Sequence, residues 1–277
     1  MSAIPAPLSR VGRRLGSPFE GLYDQLAFYG EALRGLPLAF KYGGVILSLI
    51  TDVAIGAGAL VLGGGMFFVI GSLAFFTGTA VGLEGYVALD QIGAQAYVGL
   101  VGSFANTREI TPLIAGVALA AQIGAGFTAE IGAMRISEEI DALEVMSVPT
   151  MVYLVSTRIW AALILAIPLY LLALFASYYA SELIVTQYYD VSPGAYQQYF
   201  NLFLPPIDVL YSLTKAVVFT VFVVLVHCYY GFNASGGPAG VGVAVGNAIR
   251  VSLVGVVLLN LLLSVIFYGS GNTVRIA

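Results

Sequence analysis

Residues 130–146 read EIGAMRISEEIDALEVM, and long apolar runs lie on both sides of this charged stretch. Six of its seventeen side chains carry a charge at neutral pH, and they are Glu130, Arg135, Glu138, Glu139, Asp141 and Glu144. A charged segment this short between two apolar runs is either a water-exposed loop or a polar device inside a membrane. The choice between these two decides most of the fold and the function.

The composition predicts an integral membrane protein. Of 277 residues, 59% are hydrophobic and only 9% are charged, whereas a soluble domain carries about 25% charged residues. Long apolar runs favour an all-α polytopic fold, because helices satisfy their own backbone in lipid. The single cysteine and single histidine exclude a disulfide framework and argue against a metal site. Nothing indicates a nucleic-acid partner.

The chain divides into three parts. Residues 1–19 form a Pro/Ser/Arg-rich tail expected in the cytoplasm, and residues 20–50 show an amphipathic period that is typical of a helix lying in the membrane interface. Residues 51–277 form the transmembrane domain. We expect about five spans, near residues 54–81, 111–129, 151–180, 207–232 and 251–268.

Four stretches between the spans need separate interpretation. Residues 96–105 are apolar but too short to cross about 30 Å of hydrocarbon, so we expect an elbow or a re-entrant piece. Residues 82–95 and the Tyr-rich residues 181–206 are expected to be extracytoplasmic loops, and residues 233–246 a Gly/Ala turn.

Charge bias predicts the orientation. Basic residues gather near the N-terminus, whereas Arg275 stands alone near the C-terminus. The positive-inside rule therefore places the N-terminus in the cytoplasm. With five spans, the C-terminus is extracytoplasmic and residues 130–146 face the cytosol.

Residues 137–147 are expected to form a short amphipathic helix. Ser137 can cap it, and Glu138 and Glu139 would then lie in its first turn, where the helix dipole favours anions. Ile136, Ile140 and Leu143 share one apolar stripe, with Met146 at its edge. The pattern leaves two readings open, a loop helix resting on its own protein and a docking helix for a cytosolic partner.

Arg108, Glu109 and Lys215 are ionisable residues beside or within apolar runs. Such residues are usually paired or line a polar cavity. One reading is that they snorkel to lipid headgroups. The other is a charge cluster that holds the spans in register or borders a substrate passage.

The chain has no nucleotide-binding loop of its own. Its two lysines, Lys41 and Lys215, follow Phe40 and Thr214, so neither stands in a Gly-Lys-Ser/Thr sequence. If ATP drives this protein, a separate chain must bind the ATP and its magnesium. We therefore expect no cofactor in this chain.

Several strings resemble the MlaE/YrbE permeases. Residues 129–135 read AEIGAMR and residues 137–143 read SEEIDAL. The similarity also includes Arg108-Glu109, Pro112-Leu113, Pro149, Arg158, Lys215, Gly231 and Gly240-Val241-Gly242. It covers roughly residues 40–270, and the tail and Tyr-rich loop are most similar to YrbE proteins of actinobacterial Mce systems.

The resemblance implies a permease subunit of an ATP-driven lipid transporter in the bacterial inner membrane. It implies a cytosolic ATPase dimer, a second and different YrbE-type permease, MCE-domain proteins on the outer side, and import of fatty acids, mycolic acids or sterols. By this resemblance the coupling segment spans Ser137 to Met146, including Glu138, Glu139, Ile140, Asp141, Leu143 and Glu144, with Glu130 and Arg135 bracing it. Arg108, Glu109 and Lys215 would form an intramembrane charge cluster.

Two other classes of function remain open at this point. A scaffold would anchor MCE proteins without gating transport, and a membrane-embedded enzyme would use the acidic cluster for catalysis. Dependence of lipid uptake on ATP hydrolysis separates a permease from a scaffold, and turnover by the purified chain alone identifies an enzyme.

Overall fold

The computed structural model describes residues 18–55 and 65–269, and these residues are almost entirely helical. In chain order the helices are α1 Pro18–Arg34, α2 Leu36–Ala39, α3 Gly43–Ile55, α4 Gly65–Asp90, α5 Val98–Ala105, α6 Thr111–Leu119, α7 Ala125–Ile136, α8 Glu139–Val145, α9 Thr157–Gln187, α10 Pro193–Leu202, α11 Pro206–Phe232 and α12 Gly237–Tyr268. Part of the predicted first span, residues 56–64, lies outside the described residues.

Three π-helical segments interrupt the regular helices. Asn106–Ile110 joins α5 to α6, Ala120–Gly124 joins α6 to α7, and Met151–Ser156 precedes α9. Residues 95–136 therefore form one nearly continuous helical stretch, and the 96–105 segment is its first part. Insertions of this kind often mark functional sites because they turn side chains away from the regular helical spacing.

Six helical stretches in the described part of the chain are long and apolar enough to cross a membrane. Five of them match the predicted spans. The sixth, Leu36–Ala54, falls in the segment predicted to lie in the interface. The prediction of an all-α polytopic membrane fold is confirmed.

Helices α4 and α9 form the centre of the bundle. Gly78 allows their backbones to meet, because a Cβ at this position would lie 2.3 Å from the carbonyl oxygen of Ser177. Gly82 makes a similar approach to Ser181. The apolar core continues from this pair into α7 and α11, and Ile131 of α7, Ile159 of α9 and Val224 of α11 are almost completely buried in it. Small residues thus permit close helix packing in lipid.

The bundle has two distinct ends. The α8 end carries α1, α8, the start of α9 and the α11–α12 turn. The α10 end carries the end of α4, the start of α5, the end of α9 and α10.

The helices extend further than the sequence predicted. Residues 82–90 continue α4, residues 181–187 continue α9, and residues 237–246 form the start of α12, so three stretches predicted as loops or turns are mostly helical. The loop predictions gave weight to glycine and to polar residues. In packed membrane helices glycine allows neighbouring backbones to approach closely, and the glycines here lie within the helices instead of ending them.

Candidate functional site: the α8 segment and the buried charge cluster

A left-handed residue separates α7 from α8. Glu138 has φ 62°, and Ser147 after the helix has φ 60°, a conformation that residues other than glycine seldom adopt. The prediction that Ser137 caps α8 is wrong. Its hydroxyl lies 3.0 Å from the Ala133 carbonyl oxygen at the end of α7, and 2.9 Å from Glu139 Oε1. Helix α8 therefore begins two residues later than predicted.

The apolar residues of the α8 segment divide into two groups. Ile140 is completely buried against the core, and Leu143 packs beside it. Val145 is 86% exposed and Met146 is 65% exposed. Ile140 was expected to contact a partner, but it anchors α8 to its own bundle instead. The residues that remain available to a partner are Val145 and Met146 at the tip.

Four acidic residues lie in the same short segment as this exposed tip. Glu138, Glu139, Asp141 and Glu144 are all exposed or partly exposed. Arg135 Nη1 lies 2.6 Å from Asp141 Oδ1, and both side chains are well exposed. A pair this open contributes little to stability, so it orients the segment more than it stabilises it. The α8 segment thus exposes two apolar side chains and four acidic ones.

Glu130 does not contact α8. Its carboxylate lies 2.8 Å from Arg158 Nη2, whose side chain is only 3% exposed. Arg158 Nη1 also donates to the Leu154 carbonyl oxygen at 2.8 Å. Glu130 therefore ties α7, which leads into α8, to the start of α9. Arg158 was not among the predicted site residues, although its place at the start of an apolar span is a signal that could have found it.

The structure brings Arg108, Glu109 and Lys215 together in the α10 half of the bundle. Lys215 is completely buried, and its Nζ donates to the Arg108 carbonyl oxygen at 2.6 Å and lies 3.2 Å from Glu109 Oε1. Its position in the bundle interior disagrees with the reading in which it snorkels to headgroups. Glu109 is 43% exposed, so this carboxylate closes the cluster towards the bundle surface.

Two residues of α12 complete this cluster. Asn260 Nδ2 donates to Glu109 Oε2 at 2.7 Å, and Ser264 Oγ donates to Glu109 Oε1 at 2.7 Å. Both also lie within 3.3 Å of Lys215 Nζ. They were missed because α12 was interpreted as a purely apolar span. Their spacing of four residues on an otherwise apolar helix is the signal that could have found them.

Arg108 forms a second ion pair, with Asp208 of α11. Both its Nε and its Nη2 lie 2.7 Å from Asp208 Oδ2, and both side chains are less than 10% exposed. The guanidinium also stacks over the rings of Phe104 and Tyr268, 3.9 Å and 4.5 Å from their centroids. The π-helical segment Asn106–Ile110 directs Arg108 and Glu109 to neighbouring partners on α11 and α12.

A third polar group lies in the α8 half. His227 Nδ1 is 2.7 Å from Thr128 Oγ1, and its Nε2 is 3.2 Å from Ser252 Oγ. All three side chains are completely buried. This histidine therefore has a serine partner, which the sequence did not reveal. The closed site makes the group a link between α7, α11 and α12.

No cluster of three or more His, Cys, Asp or Glu side chains that could hold a metal occurs within residues 18–55 and 65–269. The acids of the α8 segment point outward and do not line an enclosed cavity. The geometry therefore provides polar contacts between helices and an exposed tip at Val145 and Met146.

Comparison with known proteins agrees with this arrangement. The sequence profile of the family described as Permease MlaE matches residues 55–266. A probable ABC transporter permease protein of Rickettsia bellii is 31% identical over 200 residues, which is 72% of this chain and 77% of that protein. One from Synechocystis sp. is 33% identical over 182 residues, covering 65% of this chain and 69% of its own length.

A third relative covers nearly the whole chain. The intermembrane phospholipid transport system permease protein MlaE of Haemophilus influenzae is 27% identical over 265 residues, 95% of this chain and 98% of that protein. Since the family profile spans well over half of the sequence and includes both the α8 segment and the charge cluster, the chain belongs to the MlaE family of ABC transporter permeases.

Proposed function

We propose that this chain is the permease subunit of an ATP-driven lipid transporter of the Mce type in a bacterial inner membrane. In this proposal it pairs with a second, different YrbE-type permease. A cytosolic ATPase dimer binds ATP and magnesium, and MCE-domain proteins receive or deliver lipid on the outer side. The cargo is a lipid such as a fatty acid, a mycolic acid or a sterol, a choice that rests on the resemblance to YrbE proteins.

The observation that carries the proposal is the geometry of the α8 segment. Val145 and Met146 are exposed apolar side chains at the end of a short helical segment that also exposes four acids. A surface that combines exposed apolar and acidic side chains suits a groove on a partner protein that has an apolar floor and basic edges. The buried Ile140 makes the tip part of the bundle, so a force applied to α8 reaches the core directly.

Helix α7 provides the route for this force. Its twelve residues span about 18 Å at 1.5 Å per residue, and only Ser137 and Glu138 separate it from α8. At its far end lies the π-helical segment Ala120–Gly124, where a helix bends more easily. The Glu130–Arg158 pair holds α7 to α9. We propose that α7 tilts about residues 120–124 when the ATPases close.

The charge cluster acts at the other end of this route. Arg108 and Glu109 lie in the same nearly continuous helical stretch as α7 and contact α11 and α12. A satisfied buried polar network fixes the relative position of the helices that contribute to it. In the proposal they set the position of α12 relative to α6 in each state of the transport cycle.

Charge supports placing the α8 end in the cytoplasm. Four exposed or partly exposed basic residues lie in the α8 half, namely Arg34, Lys41, Arg135 and Arg250, and Arg158 of the same half is buried. In the described part of the α10 half the basic residues are Arg108 and Lys215, both inside the bundle. By the positive-inside rule, this bias supports the proposal that the N-terminus is cytoplasmic.

Helix α3 also supports the predicted interfacial placement of the segment before α4. Trp160 Nε1 of α9 donates to the Leu36 carbonyl oxygen at 3.0 Å, while Ile46 and Leu49 pack on the neighbouring Ala161. These contacts join α2 and the first half of α3 to one turn near the start of α9. In the proposal this segment lies in the interfacial plane.

The test uses the complete complex, expressed with its ATPase and partner subunits. Glu138→Lys combined with Asp141→Lys should abolish co-purification of the ATPase while the permease still inserts into membranes. The matched control is Asp24→Lys with Glu31→Lys, two exposed acids of α1 at the same end. Retained co-purification in the α8 variant would contradict the proposal.

The same complex in proteoliposomes separates the permease from a scaffold. A permease requires ATP hydrolysis for lipid movement, so an ATPase-inactive partner should stop transport. Transport that continues without hydrolysis would favour the scaffold and would contradict the proposed function.

A further inference from the structure

A pocket of about 770 Å³ lies at the α8 end, where α1 meets the turn between α11 and α12. Its polar side chains are all neutral, and they are Gln25, Tyr230, Asn233, Ser235 and Asn247. The Tyr230 hydroxyl and the Asn247 side-chain nitrogen donate to no other described residue. Because the described lining offers hydrogen-bond donors and no carboxylate, it favours an anionic ligand over a cationic one.

Arg250 supplies a positive charge beside this pocket. It is exposed on α12, about one turn beyond Asn247, and its Nη1 lies 3.4 Å from Asn247 Oδ1. Within residues 18–55 and 65–269, no carboxylate pairs with its guanidinium. A guanidinium binds a phosphate group through two parallel hydrogen bonds, and a long basic side chain near the end of a membrane helix extends to the lipid headgroups.

The helix face that carries Arg250 continues as an apolar strip. Val254 and Leu258 follow at intervals of four residues, which places them on the same face of α12, and both are 61% exposed. The eight residues from Arg250 to Leu258 cover about 12 Å at 1.5 Å per residue. This length fits within about 15 Å, half of the hydrocarbon core. A polar pocket followed by an apolar strip of this length matches a headgroup and its acyl chain.

Helix α1 provides the second wall of the pocket. Its first turns expose Leu22, Tyr23 and Leu26, each more than half exposed. An amphipathic helix of this kind lies in the membrane interface with its apolar side chains towards the acyl chains. Phe28 makes edge-to-face ring contacts with Tyr229 of α11 and fixes this wall. The pocket is therefore at the depth where phosphate headgroups lie.

The floor of the pocket contacts the support of α8. Ala234 and Ala244 line the pocket and belong to an apolar cluster with Ile136. Ile136 is the last residue of α7, three residues before Glu139, the first residue of α8. A ligand that holds α1 against α12 therefore also stabilises the packing at the base of α8.

We propose that this pocket binds one anionic phospholipid as a structural ligand. Its phosphate accepts hydrogen bonds from Tyr230, Asn247 and Arg250, and one acyl chain lies along Val254 and Leu258. The lipid enters sideways from the leaflet on the α8 side, because the strip is on the bundle surface, and it remains bound during transport. The argument uses only the pocket and the neighbouring face of α12, so it does not rest on the proposed function.

The test is photo-crosslinking in nanodiscs that contain the complete chain with the subunits that co-purify with it. The bilayer is phosphatidylcholine with a small fraction of phosphatidylglycerol that carries a diazirine in its acyl chain. The expected crosslink lies on α12 between Val254 and Leu258. The same diazirine on phosphatidylcholine should give a much lower yield, because its headgroup has no net charge for Arg250 to bind.

Substitutions at Arg250 make the test specific. Arg250→Gln should lower the crosslinking yield about tenfold, whereas Arg250→Lys should keep most of it because lysine also binds phosphate. Arg34→Gln is the matched control, since Arg34 is an exposed cation at the same end that does not line the pocket. It should leave the yield unchanged.

Several outcomes would overturn the proposal. Equal yields with the two lipids, or an unchanged yield in Arg250→Gln, would exclude recognition of the anionic headgroup. Competition by soluble glycerol phosphate would indicate a site for free phosphate, and crosslinks on a partner subunit in place of α12 would show that protein covers the strip. A yield that falls during ATP hydrolysis would identify the lipid as cargo. None of these readouts measures ATPase co-purification or lipid transport, so failure here is distinguishable from failure of the proposed function.

Discussion

Replacing Glu109 with glutamine removes the carboxylate that lies 3.2 Å from the Lys215 ammonium. Lys215 is completely buried, so its charge would be left inside the bundle with only neutral partners, the Arg108 carbonyl oxygen, Asn260 and Ser264. Removing one member of a fully buried ion pair costs about 3–5 kcal/mol. Since Glu109 is 43% exposed, water screens part of this interaction. We therefore expect Glu109→Gln to lower the free energy of unfolding by roughly 2–4 kcal/mol.

Replacing Lys215 with methionine should cost less. It leaves Glu109 without the ammonium, but this carboxylate is partly solvated and keeps its hydrogen bonds from Asn260 and Ser264, each 2.7 Å long. We expect a loss of about 1–2 kcal/mol. The double variant removes both charges. Its loss of unfolding free energy should be about 1–2 kcal/mol smaller than the sum of the two single-variant losses.

Cys228 provides the assay. It is the single cysteine of the chain and is completely buried in α11, so a maleimide dye labels it only when the bundle opens. Labelling during heating in lipid nanodiscs gives an unfolding midpoint for each variant. A loss of 2–4 kcal/mol corresponds to a decrease on the order of 10 °C.

The order of the three variants is the test of the reasoning. If Lys215 reached the headgroups instead, Glu109→Gln would cost no more than a surface ion pair, about 0–1 kcal/mol. Equal midpoints for Glu109→Gln and the unmodified protein, or strictly additive losses in the double variant, would refute the buried-pair account.

Three further predictions concern other contacts. Gly78→Ala places a methyl group against the Ser177 backbone and should lower the labelling midpoint by the equivalent of about 1–3 kcal/mol. Gly71→Ala is the control, because its new methyl group would meet Leu172 at an ordinary 3.7 Å and should leave the midpoint unchanged. Equal effects of the two variants would contradict the close contact of α4 and α9. Thr128→Val removes the hydroxyl that lies 2.7 Å from His227 Nδ1 and should lower the free energy of unfolding by about 1–3 kcal/mol. Ser252→Ala should lower it less, because the contact between Ser252 Oγ and His227 Nε2 is longer, at 3.2 Å. The reverse order would disprove the assigned partners. Arg158→Gln should weaken ATP-driven lipid transport more than ATPase binding, because it frees α7 from α9 and leaves the α8 tip intact; normal transport would argue against the proposed route through α7.

Sequence reasoning located the charged residues well but not their environment. Arg108, Glu109 and Lys215 could be grouped because ionisable residues in apolar runs need partners. Asn260 and Ser264 were missed because two polar residues change the average hydropathy of the long apolar helix α12 very little. The π-helical segment at residues 106–110 could not be predicted either, because local sequence does not reveal which helical register the tertiary contacts favour.

The α8 segment shows a different limit. Its spacing predicted an apolar stripe, and the stripe exists, with Ile140 buried. Periodicity gives the direction of a face but does not reveal whether the same chain or a partner covers it. Only the packed structure shows that Ile140 belongs to the core and that Val145 and Met146 face outward.

The most direct test of the central claim is the affinity of the permease pair for its ATPase when the α8 tip is changed. Val145→Ser combined with Met146→Ser removes two apolar side chains that would each contribute up to about 1.5–3 kcal/mol on full burial. We expect the dissociation constant to rise by about 10- to 100-fold, while the Cys228 labelling midpoint stays unchanged. Val243→Ser, at a site that is 64% exposed at the same end, should have no effect. An unchanged affinity in the double variant would contradict the assignment of α8 as the element that receives force from the ATPase.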